Sequence, residues 1–173
     1  VLVHYLLGTL YQKMGDLNSS LSMFEKAASL AENCLEINYA FAQVLYLQGR
    51  YEEAQDIASR MLILFPGNLN LLKLLSQIAS KTGNYALAES YINQVLQQEP
   101  ENSQFLLLRV KVLMDQGNYV KAVSFLDIYA RVDKVSKDYL LLRSRIQNEW
   151  NKNSVAAAAT VEQALELYPD DSA

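Results

Sequence analysis

Gly49-Arg50-Tyr51-Glu52-Glu53-Ala54, Gly83-Asn84-Tyr85-Ala86-Leu87-Ala88 and Gly117-Asn118-Tyr119-Val120-Lys121-Ala122 write one six-residue pattern three times at a spacing of 34 residues. A further copy, Gly15-Asp16-Leu17-Asn18-Ser19-Ser20, stands 34 residues before the first of them. Four of the six glycines lie on this lattice, and Pro66 and Pro100 share its spacing. A periodic apolar segment that ends at Gly predicts a helix whose next residue enters the left-handed region, where Gly meets no Cβ penalty. The small residue at 20, 54, 88 and 122 then falls inside a second helix, where a short side chain lets two helices approach closely. Pro at the end of that helix cannot extend it and redirects the chain. One unit is therefore helix, turn, helix, turn.

Composition agrees and narrows the function. The 173 residues are 51% hydrophobic and 20% charged, ordinary values for a chain that folds around a core. With three Pro, six Gly and no alternating Val/Ile/Thr runs, helix is predicted over sheet. A formal net charge of -4 argues against wholesale nucleic-acid binding, which favours a basic face. No stretch approaches the ~20 apolar residues of a membrane span, so no membrane insertion is expected within this sequence. The start, Val1-Leu2-Val3-His4-Tyr5, lacks an initiator Met and a basic leader region and reads as part of a longer protein. Compartment is left open by a single cysteine, Cys34, with the cytoplasm favoured.

The pattern resembles the tetratricopeptide repeat family, a 34-residue helix–turn–helix with a large residue, a Leu-Gly pair, Tyr, Ala, an aromatic, Ala and Pro in order. The first repeat carries Leu7-Gly8, Tyr11, Ser20, Phe24 and Ala27; the second Phe41-Ala42, Leu45, Gly49, Tyr51, Ala54, Met61 and Pro66; the third Leu75-Ser76, Ala79, Gly83, Tyr85, Ala88, Ile92, Val95 and Pro100. The resemblance implies an all-α, right-handed solenoid of about five repeats, near 1–34, 35–68, 69–102, 103–136 and 137–171, forming one domain over 1–173. The last two repeats depart from the pattern. Phe105-Leu106-Leu107-Leu108-Arg109 and Tyr139-Leu140-Leu141-Leu142-Arg143 place Arg where the family has an apolar residue, and solvent-directed heads on packed stems are expected, or pairing with Asp115, Asp127 or Glu149. In the fifth repeat Asn151 stands for the turn Gly, as Asn tolerates the left-handed region next best, and one extra residue enters between Trp150 and Ser154.

The resemblance also implies a concave surface lined by the first helix of each pair. The family's lining positions fall on Tyr5, Tyr39, Lys73, Leu107 and Leu141, and on Thr9, Gln43, Gln77, Lys111 and Arg145. Outer rows add Gln12, Lys13, Tyr46, Leu47, Ser80, Lys81, Met114, Asp115, Asn148 and Glu149. The early repeats thus offer tyrosines, side chains common in binding hot spots, and the later ones a stripe of Lys73, Lys81, Lys111 and Arg145, which suits a partner with apolar anchors at one end and carboxylates at the other. A tyrosine on a helix is often partial core, and surface charge is often only solvation. Some relatives clamp a C-terminal carboxylate with Lys and Asn; Tyr5 and Thr9 occupy those positions here, which disfavours that mode.

Catalytic chemistry is not in view. His4 is the sole histidine, so a His-based triad or multi-histidine metal site is excluded within these residues, and its expected place is the large packing position of the first helix. Cys34 is expected to be a buried, inert thiol. The glycines occur singly, not as a phosphate-cradling loop. Glu52-Glu53 and Asp170-Asp171 read as helix-dipole partners or tail charges. The expectation is a non-enzymatic interaction module with a protein or peptide partner, no cofactor and no metal. Two alternatives stand beside it: a regulatory or substrate-presenting arm of a larger enzyme, and a structural oligomerisation module of an assembly or secretion apparatus; association of copies through the terminal repeats is a further expectation.

Overall fold

The computed structural model of the chain describes residues 1–133 and 136–169, all of them helix or connecting turn. Ten helices are found among them: α1 (Leu2–Lys13), α2 (Leu17–Leu30), α3 (Leu35–Leu47), α4 (Tyr51–Leu64), α5 (Leu69–Lys81), α6 (Tyr85–Leu96), α7 (Ser103–Asp115), α8 (Tyr119–Val132), α9 (Lys137–Glu149) and α10 (Ser154–Leu167). The first helices of successive pairs begin at Leu35, Leu69, Ser103 and Lys137, on the 34-residue lattice. The chain divides into two compact units, Val1–Tyr91 and Ile92–Ala173, taken separately below.

Helix starts are set by short polar side chains. Asp16, Asn68, Asn102, Asn118, Ser136 and Asn153 each accept a bond from the backbone N–H three residues on, satisfying a donor the helix itself cannot. The end of the first helix in each of the first four pairs is set by Gly. After α1, the Gly15 N–H donates to the Gln12 carbonyl at 3.1 Å and the Asp16 N–H to Tyr11 at 3.0 Å. The same two bonds close the turns at Gly49, Gly83 and Gly117, and all four glycines have φ between 77° and 79°. This is the paired-bond C-terminal motif that requires a left-handed residue.

The fifth turn corrects one expectation. Asn151 does not take the left-handed conformation; Lys152 does, with φ 53°. The extra residue widens the loop, so the Asn151 N–H still reaches back to Ile146 at 3.2 Å and the Asn153 N–H reaches Gln147 at 2.8 Å. The reversal is thereby displaced one position along the chain.

Within the first unit the helices of a pair close on small residues. Ser20, Ala54 and Ala88 are fully buried, and the Ser20 hydroxyl donates to the Gly8 carbonyl at 2.8 Å. A Cβ at Gly8 would stand 2.8 Å from the Phe24 ring, so this glycine is needed for close approach. Successive pairs then share a core. Phe24 packs with Ala40 and Val44 of α3, and Ala58 and Met61 of α4 with Leu71, Leu74 and Ile78 of α5. In the second unit, Leu126 and Tyr129 of α8 pack with Tyr139, Leu142 and Ile146 of α9. Each junction therefore sets a second helix against the next first helix, and burial of its aliphatic and aromatic side chains is worth about 1.5–3 kcal/mol apiece.

Candidate functional site

In the first unit α1 packs on α3 and α3 on α5, so their lattice-related side chains share one wall. Tyr5 and Thr9, Tyr39 and Gln43, and Lys73 and Gln77 are spaced four apart and sit on common helix faces; all six are half-buried. Tyr5 leans on Phe24, ring centroids 5.9 Å apart. The Tyr39 hydroxyl accepts a bond from Gln43 Nε2 at 3.0 Å, and partial burial raises its phenol above the ordinary value. Tyr46 leans on Tyr51 at 5.6 Å, and its phenol is raised by burial and then by that neighbour. Thr9 spends its hydroxyl on the Tyr5 carbonyl at 2.9 Å. Tyr5 and Tyr46 are thus braced by neighbouring rings and Tyr39 by the amide beside it, while part of each stays in solvent.

The second unit differs from expectation. Leu107 and Met114 do not line a surface: they are 8% and 2% exposed and belong to the core with Leu113, Tyr139 and Leu142. Nearly every side of α7 is apolar and buried, which draws both inward. Leu141 is exposed. Lys111 and Arg145 are not bare cations. Lys111 Nζ lies 3.5 Å from Asp138; Arg145 donates to Glu149 at 2.8 Å and lies 3.5 Å from Asp115. The Tyr119 hydroxyl donates to the other Glu149 oxygen at 2.9 Å, and Trp150 stacks on the Tyr119 ring at 6.4 Å and 6°. Glu149 is held below the usual carboxylate range, first by the Arg145 bond and then by Tyr119. The expected basic stripe is therefore largely neutralised in this unit. Its readable signal was the Arg145–Glu149 spacing of four, which suits an ion pair on one helix.

Arg109 is half-buried rather than directed to solvent. Its guanidinium lies 4.0 Å above the Phe125 ring and donates to Asn93 Oδ1 at 2.8 Å, a cation–π arrangement favoured by partial desolvation. Arg143 is exposed. Cys34 is half-buried rather than buried: it sits at the start of α3, where its thiol donates to Glu36 at 3.3 Å. His4 is half-buried on α1. Glu52 and Glu53 occupy the first turn of α4; Asp170 and Asp171 lie outside the described residues. Among the described residues no group of three or more His, Cys, Asp or Glu is placed to hold a metal ion, and no helix is long and apolar enough to cross a membrane. Residues the lining pattern did not single out, including Glu25, Glu32, Phe41, Arg60 and Leu64, border a cavity of about 520 Å³ where α2, α3 and α4 meet.

The tetratricopeptide repeat family model matches residues 11–78 and 79–146. A human protein, the O-mannosyl-transferase TMTC1, is 35% identical over 75 residues, which is 43% of this chain and 8% of that protein's length. Among solved structures, MamA residues 41-end from Desulfovibrio magneticus superposes with a TM-score of 0.77 at 16% identity, over 99% of this chain and 96% of that one. YrrB, described as a tetratricopeptide repeat protein with an unusual peptide-binding site, superposes with a TM-score of 0.65 at 18% identity, over 97% of this chain and 86% of that one. At these identities the structural likeness establishes the helical-repeat fold.

Proposed function

The chain belongs to the tetratricopeptide repeat family, whose fold supports a protein-interaction scaffold, and from that premise we propose that the wall of α1, α3 and α5 holds an extended or helical segment of a protein partner. The observation that carries the reading is the pair Tyr5 and Tyr39 on adjacent first helices, each held by an intramolecular contact. A ring already held in place loses little side-chain entropy when a partner covers it, and its phenol tip keeps a polar handle for a backbone group. Gln43, Gln77 and Lys73 beside them supply amide and ammonium donors, suited to the carbonyls and carboxylates of a peptide. The peptide-binding site named for YrrB points the same way.

The test is direct mapping on the whole chain. A ligand selected from a random peptide library should shift amide resonances of α1, α3 and α5 when added to labelled protein. Shifts confined to other helices would overturn the reading.

A second reading draws on the likeness to TMTC1: the chain is a substrate-presenting arm of a larger enzyme, with the same wall holding the substrate protein. A native protein of about this chain's own mass, 19.5 kDa, in a blot of the source tissue would contradict it.

A further inference from the structure

The cavity of about 520 Å³ where α2, α3 and α4 meet lies wholly within the first unit, and none of the tyrosines of the α1, α3 and α5 wall lines it. Its volume falls in the range of roughly 300–1,000 Å³ usual for ligand sites. Its innermost lining includes Asn38 and Phe41, one turn apart on α3, and buried Met61 of α4. Asn38 is 4% exposed, and its side-chain nitrogen donates to the carbonyls of Glu32 and Cys34, both at 2.9 Å. Carbonyls only accept, so the other end of that amide is its oxygen. The oxygen accepts no bond among the described residues and is not sealed off from the cavity. A buried side chain is thus locked in place with one acceptor left for an incoming donor.

The rim adds charge. Glu25 of α2 and Glu32 just beyond it stand there against one guanidinium, that of Arg60 on α4, and none of the three forms an ion pair among the described residues. Two carboxylates against one cation leave the rim negative. We propose that this cavity holds a short segment of a partner protein in which a large aliphatic or aromatic side chain is flanked by lysine or arginine. The apolar side chain fills the space against Phe41, Met61 and Leu64, where its removal from water is the main attraction. The flanking cations meet Glu25 and Glu32, a backbone N–H of the segment donates to the Asn38 oxygen, and Arg60 supplies donors for the segment's carbonyls. An acidic segment would set its own carboxylates beside Glu25 and Glu32, so it is rejected. This site goes beyond the tyrosine wall, because it uses another face of α3 together with α2 and α4.

The test titrates three end-blocked tetrapeptides, Lys-Leu-Trp-Lys, Glu-Leu-Trp-Glu and Lys-Ser-Ser-Lys, into the isotopically labelled whole chain. Lys-Leu-Trp-Lys should bind with a sub-millimolar Kd and shift the side-chain amide signal of Asn38, while the other two should bind about tenfold more weakly or worse. The double variant Glu25→Gln with Glu32→Gln should weaken Lys-Leu-Trp-Lys about fivefold at low salt and little at high salt. Ser29→Trp, at an exposed lining position, should fill the cavity and abolish binding, and Tyr39→Ala should leave the affinity unchanged; circular dichroism and melting show that each variant folds. No binding of Lys-Leu-Trp-Lys at millimolar peptide, equal binding of the acidic peptide, or parental affinity in either folded cavity variant at low salt would overturn the proposal. So would loss in Tyr39→Ala with the Asn38 signal unmoved, which places the peptide on the tyrosine wall. An Asn38 signal that shifts when the protein alone is concentrated would make a second copy of the chain the occupant and would overturn it too.

Discussion

The two units build the same helical lattice but finish its first-helix faces by different physics. In the first unit the exposed edges are aromatic and held by packing: Tyr5 on Phe24 and Tyr46 on Tyr51. In the second, the leucine and methionine at corresponding places, Leu107 and Met114, have gone into the core, and the exposed positions include, beside Leu141, the cations Lys111 and Arg145, held by Asp138, Asp115 and Glu149. Packing is insensitive to salt and pH, whereas exposed ion pairs are screened at a Debye length near 8–10 Å and contribute on the order of 0–1 kcal/mol each. A shared fold thus leaves one face that offers rigid apolar area and another whose charges are already spent on each other.

The strongest way to break the contrast is to remove the support behind the first face. Phe24 is fully buried and touches both Tyr5 and the α3 core. Phe24→Ala should cost about 3–5 kcal/mol of stability, by the same amount at low and high salt in chemical denaturation. A loss under about 1 kcal/mol would mean the ring is not a keystone.

A smaller effect separates the turns of the second unit. Gly117 has φ 77° with open space around its would-be Cβ, so Gly117→Val should destabilise through backbone strain alone, by roughly 1–2 kcal/mol. Lys152 already carries that strain at φ 53°. Lys152→Gly should raise the melting temperature slightly, by the equivalent of about 0.5 kcal/mol, since the relief is partly offset by the added freedom of the unfolded chain. Opposite signs for the two substitutions are the expected result, and equal signs would show that the fifth turn is not a strained version of the fourth.

The smallest effect sharpens the electrostatic side. Glu149 in the folded chain lies below its ordinary value of 4.5 because of Arg145 and Tyr119. A depressed carboxyl contributes stability that is present above pH 4.5 and is lost as pH falls through the folded value. Thermal melts of Glu149→Gln should therefore show a deficit at pH 7 that narrows at pH 3, and the deficit should shrink in high salt. A deficit independent of both would make Glu149 a packing residue.

What could be read from the sequence follows from how local each constraint is. The glycine lattice was legible because a left-handed residue is demanded by two backbone bonds within six residues, and only Gly meets that demand without strain. Ser20, Ala54, Ala88 and Ala122 were legible because two helix axes must come close at those points. Leu107 and Met114 were not, since α7 reads Ser103-Gln104-Phe105-Leu106-Leu107-Leu108-Arg109-Val110 and is apolar almost all round, which removes the contrast that tells an inner face from an outer one. The contact of Arg109 with the Phe125 ring was not legible because Phe125 lies on another helix. Lys152 was missed because an insertion shifts the reversal, and which residue absorbs it depends on the loop closing as a whole.

The most direct test of the account compares the two faces against one ligand. For a peptide that binds the chain, affinities of Tyr39→Ala and of the double variant Lys111→Ala with Arg145→Ala should be measured by calorimetry at about 50 mM and 500 mM salt, a range over which exposed charges are progressively screened. Tyr39→Ala is expected to weaken binding by about 2 kcal/mol or more at both salts, while the double variant changes affinity little at high salt and only modestly at low salt. Wild-type affinity for a folded Tyr39→Ala, with loss in the double variant, would contradict it and move the binding surface to the second unit.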